Sequence, residues 1–222
     1  MCRQNCLQAC FSAANQYMPA ALAVPNSTAH LERVHEWLRG ERAVTEIEKI
    51  WPRGPIVELK IQVPETARAG EHVQFKVTLK NNKVGHGFPT GPLNIARAWI
   101  EVVVEDAAGR RVFHSGLVDD LNHIEAGSYI LKPLAIDSAG HMIMKPDLWH
   151  PVGPKFRRAV LAGESDTYDY DFQAPPGMWS IKARLRYSKA NQFFMDAVYP
   201  EARREAPITD ISSAHARIEI QP

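Results

Sequence analysis

Ile56-Val57-Glu58-Leu59-Lys60-Ile61-Gln62-Val63 and His72-Val73-Gln74-Phe75-Lys76-Val77-Thr78-Leu79 decide the fold class of this chain. In both stretches apolar and polar side chains alternate. A strand sends successive side chains to opposite faces, so each stretch acquires one apolar face and one wet face as a strand and neither as a helix. Pro64-Glu65-Thr66-Ala67-Arg68-Ala69-Gly70-Glu71 lies between them and reads as a turn. Two half-wet strands so joined belong to an antiparallel sheet. Downstream the sequence predicts further strands at 98–104, 111–114, 129–136, 158–162, 167–173, 179–187 and 216–220, and a short helix over 191–199. Many short strands separated by Gly, Pro and Asp turns predict an antiparallel, immunoglobulin-like β-sandwich.

Upstream the period changes. Residues 5–16 hold no Gly or Pro and favour a helix. Pro25-Asn26-Ser27-Thr28 supplies a turn and a cap for a helix over 29–39, with Leu31, Val34, His35 and Leu38 on one face and Gly40 as its stop. A third helical piece, 42–50, ends before Pro52. The chain thus divides into an N-terminal helical arm, 1–54, and a β-sandwich domain, 55–222. The arm is too short for a core of its own, so its apolar stripe must be buried on something.

Composition excludes several function classes. With 222 residues, 45% hydrophobic and 23% charged, the chain is ordinary globular protein. Its 26 basic and 25 acidic residues leave a net charge of +1, and no basic stripe stands out to gather nucleic acid. The apolar run Met18 to Val24 is too short to span a bilayer and contains Pro19. Met1-Cys2-Arg3-Gln4-Asn5-Cys6 lacks the basic-then-apolar pattern of a signal peptide. The sequence therefore belongs either to a cytoplasmic protein or to a mature or partial chain.

Residues with chemistry are scattered. Cys2, Cys6 and Cys10 would share one helix face, but no fourth cysteine completes a metal or cluster site, and Cys6-Leu7-Gln8-Ala9-Cys10-Phe11 is not Cys-x-x-Cys-His. His86, His114, His123, His141 and His150 fall in turns or at strand ends without paired metal-ligand spacing, and His30 and His35 are five apart. There is no Gly-x-Ser-x-Gly elbow, and Asp119-Asp120 suits either a turn or a hard cation. The unusual segment is Asn81-Asn82-Lys83-Val84-Gly85-His86-Gly87-Phe88-Pro89-Thr90-Gly91-Pro92. Its glycines and prolines fix an uncommon backbone path. Gly85 and Gly87 let a backbone or a flat ligand approach His86; a tight crossover loop with His86 bonded to a carbonyl accounts for the same residues.

This loop resembles one in the C-terminal β-sandwich region of multihaem c-type cytochromes. The resemblance rests on Val84-Gly85-His86-Gly87-Phe88-Pro89-Thr90-Gly91, Ala98-Trp99-Ile100-Glu101-Val102, Asp106-Ala107-Ala108-Gly109-Arg110, Val112-Phe113-His114-Ser115-Gly116 and Ile136-Asp137-Ser138-Ala139-Gly140. Upstream, Met18-Pro19, His30 and His35-Glu36-Trp37-Leu38 are similar to the segment following the last haem motif in that family. There the haem motif immediately precedes Met-Pro; here Ala13-Ala14-Asn15-Gln16-Tyr17 holds neither cysteine nor histidine. The resemblance implies that His86 matches a loop histidine able to serve as an axial haem ligand, and that His30 matches a second histidine of the region.

The expectation is a non-catalytic accessory subunit of a cytochrome-containing electron-transfer complex, respiratory or photosynthetic. It would carry no covalent cofactor or metal of its own and dock on a multihaem or other c-type cytochrome, with His86 and His30 as cofactor-binding candidates in trans. It would sit at the periplasmic or extracellular face of a bacterial membrane within a larger, membrane-associated complex. Two other readings stand beside it: an immunoglobulin-like structural or protein-binding module without a redox role, and a metal-dependent enzyme built on the loop histidines.

Overall fold

The computed structural model describes residues 16–41, 49, 53–90, 95–141, 143 and 149–222. The helices expected at 5–16 and 42–50 lie outside the described residues, apart from Gln16 and Lys49, as do the three cysteines.

Two sheets face each other. The first has strand order β1-β3-β9, from β1 (Val57–Gln62), β3 (Val73–Asn81) and β9 (Ser165–Phe172). The second runs β2-β11-β10-β4-β5, from β2 (Ala67–Arg68), β11 (Thr209–Gln221), β10 (Gly177–Ser188), β4 (Arg97–Glu105) and β5 (Arg111–Ser115), with the short β6 (Ile130–Leu131) also pairing with β4. Every ladder between them is antiparallel except β2 with β11. The inward positions of β3 are Val73, Phe75, Val77 and Leu79, and those of β10 are Trp179, Ile181, Ala183, Leu185 and Tyr187; all belong to one buried cluster. Period-two alternation therefore built the core, as the opening stretches required. This is a mainly β sandwich with a helical N-terminal segment.

The region expected as one strand over 129–136 is broken. Ile130 and Leu131 pair with β4, while β7 (Pro133–Ile136) pairs with β8 (Gly153–Arg157) in a separate two-stranded sheet. Pro133, which carries no N–H, starts the new strand, a position proline tolerates. The strand expected at 158–162 is displaced upstream into β8, leaving Val160 in an isolated bridge with Phe88. The outer face of β4 is also not wet: Arg97, Trp99 and Glu101 are buried. The Trp99 indole donates to the Gly116 carbonyl at 2.9 Å, Glu101 accepts from Arg184 and Arg186, and the Arg97 guanidinium lies against the Phe193 ring.

Three connections use one device. Asp106, Asp119 and Asp137 each head a five-residue turn in which Oδ1 accepts the N–H groups two and four residues on, at 2.8 to 2.9 Å. The fourth residue is Gly109, Asn122 or Gly140, with φ of 79°, 60° and 81°. Asn is among the few residues that adopt this left-handed conformation readily. Asp119 is thus a turn former.

The arm packs on the sandwich. Helix α1 (Met18–Ala21) leads to α2 (Ser27–Arg39), whose Val34 and Leu38 enter the same cluster as the sheets, while Leu31 and His35 stay half-buried. Gly40 ends α2 at φ 64°, and a Cβ there would lie 1.5 Å from the Gly54 carbonyl oxygen. Ile56 N–H then bonds the Leu38 carbonyl at 3.3 Å, tying the helix to the start of β1. Helix α3 (Gln192–Val198) follows β10, capped by the Asn191 side chain accepting from Phe194 N–H. Among the described residues no helix is long and apolar enough to cross a membrane.

Candidate functional site

The loop following β3 is held by Asn81, the last residue of the strand and fully buried. Its Nδ2 donates to the carbonyls of His86 at 2.9 Å and Val160 at 3.1 Å, and its Oδ1 accepts from Val84 N–H at 2.9 Å. Asn82 and Lys83 N–H both bond the Ile56 carbonyl at 3.2 Å, and Phe88 exchanges two 2.8 Å bonds with Val160. The loop is therefore pinned on both sides of His86, and the Phe88 ring packs 5.8 Å from that of Tyr187. Asn81 was not singled out from the sequence; an asparagine ending a strand gives no signal beyond turn propensity.

His86 stands exposed at the tip. Its Nδ1 lies 3.1 Å from the Gly87 carbonyl oxygen and 3.2 Å from Thr90 Oγ1. A proton on Nδ1 donated to the carbonyl leaves Nε2 as the atom with a lone pair, the tautomer an imidazole ligand needs. Among the described residues nothing bonds Nε2. The carbonyl contact foreseen for a plain crossover loop is thus present, and it orients the ring with the other nitrogen outward.

The ring borders a cleft of about 360 Å³. Trp37 and Leu38 of α2, Ile56, Phe88, Pro89 and Tyr187 make it apolar, while Lys83 and Lys189 supply cations. Lys83 donates to the Gly54 carbonyl, and burial holds its ammonium below the ordinary lysine range. Burial pushes the Tyr187 phenol up, so it stays neutral. An aromatic slot with one imidazole and two ammonium groups suits a flat ligand bearing negative charge.

His30 is elsewhere. It lies in the first turn of α2, seven residues before Trp37 and hence about 10 Å along the helix axis, and it does not line the cleft. Its Nε2 is buried and has no partner among the described residues. His35 is half-buried, its imidazole held below the ordinary range by burial first and Arg39 second. Other histidines pair separately: His72 Nδ1 with Asp171 at 2.8 Å, His114 Nε2 with Glu125 at 3.2 Å, His123 Nε2 with Asp196 at 2.9 Å, His141 Nδ1 with Asp137 at 3.4 Å. Among the described residues no three His, Cys, Asp or Glu side chains converge on a metal-sized point. A second cleft of about 270 Å³ opens between β5 and β9, lined by His114, Glu125, Tyr129 and Asp169 among others.

Comparison with known proteins bears out the sandwich. No protein-family model matches the chain, and no curated protein does. Among solved structures, a penta-haem cytochrome c552 from Thermochromatium tepidum is similar over 73% of this chain and 39% of its own, at 13% identity and a TM-score of 0.55. The present chain thus matches well under half of that cytochrome. A CARDB domain from Pyrococcus furiosus, solved with di-metal ions, is similar over 74% of this chain and 91% of its own at 10% identity, with a TM-score of 0.34. At these identities the likeness is one of fold.

Proposed function

We propose that this chain is a haem-free accessory module of a c-type cytochrome assembly, offering the His86 imidazole to a haem carried by a partner chain. The observation that carries the reading is the His86 side chain itself: exposed, oriented through Nδ1 by its own loop, with Nε2 open at the mouth of an aromatic cleft. The fold shared with a penta-haem cytochrome supports it, and so does the loop Gly85-His86-Gly87-Phe88-Pro89-Thr90. Within these 222 residues no Cys-x-x-Cys-His exists, so a thioether-held haem would be anchored outside them. That haem would supply the redox-active iron. This chain's residues would ligate through His86 Nε2, cover a macrocycle edge with Trp37, Phe88 and Tyr187, and meet carboxylates with Lys83 and Lys189. The module has no reaction of its own in this reading and works at the periplasmic or extracellular face of a bacterial membrane, within a larger complex.

The test uses a short haem-bearing peptide with one open axial position. Titrating the full chain into it should shift the Soret band to the low-spin, imidazole-ligated form. H86A should lose the shift, whereas H141A, which removes an exposed histidine of the turn after β7, should keep it. Equal responses from H86A and the unaltered protein would overturn the ligand role and favour a binding module without redox function.

A further inference from the structure

Arg97 opens β4 with its side chain on the outer face of the larger sheet, and the residue is only 5% exposed. A guanidinium stays protonated at any ordinary pH, so burial cannot be relieved by losing the proton. Its Nε is buried without a hydrogen-bond partner. What it does have is the Phe193 ring of α3, 5.1 Å from the guanidinium carbon. The ladder between β4 and β6 pairs Ala98 with Leu131 and Trp99 with Ile130. Continued by one position, that register sets Lys132 directly across from Arg97, where like charges destabilise a sheet. The Lys132 ammonium lies below the ordinary lysine range, first through burial and then through Arg97.

Three carboxylates, on β4, β11 and α3, are committed elsewhere. Glu101, two positions along the same face of β4, accepts from Arg184 at 3.0 Å and from Arg186 at 2.6 Å. Asp210 is bound to the same two arginines at 3.0 and 3.1 Å. Asp196 of α3 accepts from His123 at 2.9 Å and from Gln192 at 2.7 Å. Among the described residues neither Arg97 nor Lys132 has an anionic partner. Two cations set across from each other, one of them permanently charged and buried, repel, and an anion bridging them would offset that cost.

We infer that Arg97 and Lys132 form the two arms of an oxyanion site on the outer face of β4 and β6, taking a phosphate or carboxylate group. The guanidinium fork supplies paired donors and the ammonium a point charge. The site is separate from the His86 cleft and does not depend on the proposal made for it.

Thermal unfolding of the full chain tests this, with chloride replaced stepwise by inorganic phosphate, and in a second arm by acetate, at constant ionic strength. At least one arm should raise the midpoint saturably. A response to phosphate alone assigns a free or esterified phosphate; an equal response to acetate assigns a carboxylate, such as an acidic side chain. K132Q should weaken the apparent affinity about tenfold, the loss of one charge-assisted contact. R97Q, which removes the buried charge, should abolish the response and leave the midpoint without added anion unchanged or higher. K60Q, at an exposed lysine of β1, should behave as the unaltered chain. No saturable response to either anion, or equal responses from K132Q and K60Q, would overturn the inference.

Discussion

Removing the Asn81 side chain should loosen the His86 loop and lower global stability together. N81A deletes three hydrogen bonds, to the carbonyls of His86 and Val160 and from the Val84 N–H. At a net 0.5–1.5 kcal/mol each they sum to roughly 1.5–4.5 kcal/mol. The Val160 carbonyl keeps its bond from Phe88 N–H, and the exposed loop groups recover water, which places the cost near about 2–3 kcal/mol. Urea unfolding followed by tryptophan fluorescence should show that loss with an unchanged slope. N81D is the sharper probe. It retains the acceptor for Val84 but turns carboxylate oxygen toward two carbonyl oxygens, in a site that is fully buried. Both burial and that contact disfavour the charged form, raising the folded-state pKa of the new carboxyl. Its penalty should therefore be present at neutral pH and shrink as the solution is acidified. A loss under about 0.5 kcal/mol for N81A, or an N81D penalty that ignores pH, would refute the account of how the loop is held.

Two further outcomes follow from the local geometry. G40A forces a left-handed φ on an L-residue, costing about 1–2 kcal/mol, and drives a methyl into the Gly54 carbonyl, for which the overpacking penalty is about 1–3 kcal/mol. The urea midpoint should register a sum near 2–5 kcal/mol, and a variant within about 1 kcal/mol of the parent would show that the arm is not seated as described. The Asp106 carboxylate is held below its ordinary range, chiefly by the Arg110 backbone N–H and then by that of Ala108. A depressed folded-state pKa contributes stability above the unfolded value, about 3.9, and loses it as pH falls toward the folded value. The advantage of the parent over D106N should thus persist at neutral pH and fade below about pH 4; a constant difference across that window would contradict the turn's electrostatics.

The sandwich was legible because its decisive strands carry one apolar face each, and alternation survives without knowledge of the partner strand. Val57 to Val63 and Val73 to Leu79 needed nothing else, and Tyr168-Asp169-Tyr170-Asp171 split into buried rings and exposed carboxylates for the same reason. Legibility failed where pairing, and not pattern, sets the outcome. Residues 129–136 look continuous, yet Leu131 joins β4 and Leu134 joins β8, a change of partner no local period records. The Asp-headed turns at 106, 119 and 137 do not look alike in sequence, because Asn122 stands where the others have glycine.

The candidate site divides along the same line. His86 was readable, since glycines around a histidine in a Pro-rich loop are a local signal. Its outward Nε2 depends on where Gly87 and Thr90 place their oxygens, which only the folded loop decides. Arg97 shows the opposite case. In sequence it is one basic residue at the start of an apolar strand, the usual mark of a solvated strand end. It is a buried charge with Phe193 of α3, remote in sequence, packed against it, and Glu101 and Asp210 have already gone to Arg184 and Arg186. The near-zero net charge of the whole chain hides this local imbalance. An anion site built on Arg97 and Lys132 depends on nearby carboxylates being occupied by other cations, and that is a property of the contact map before it is one of composition.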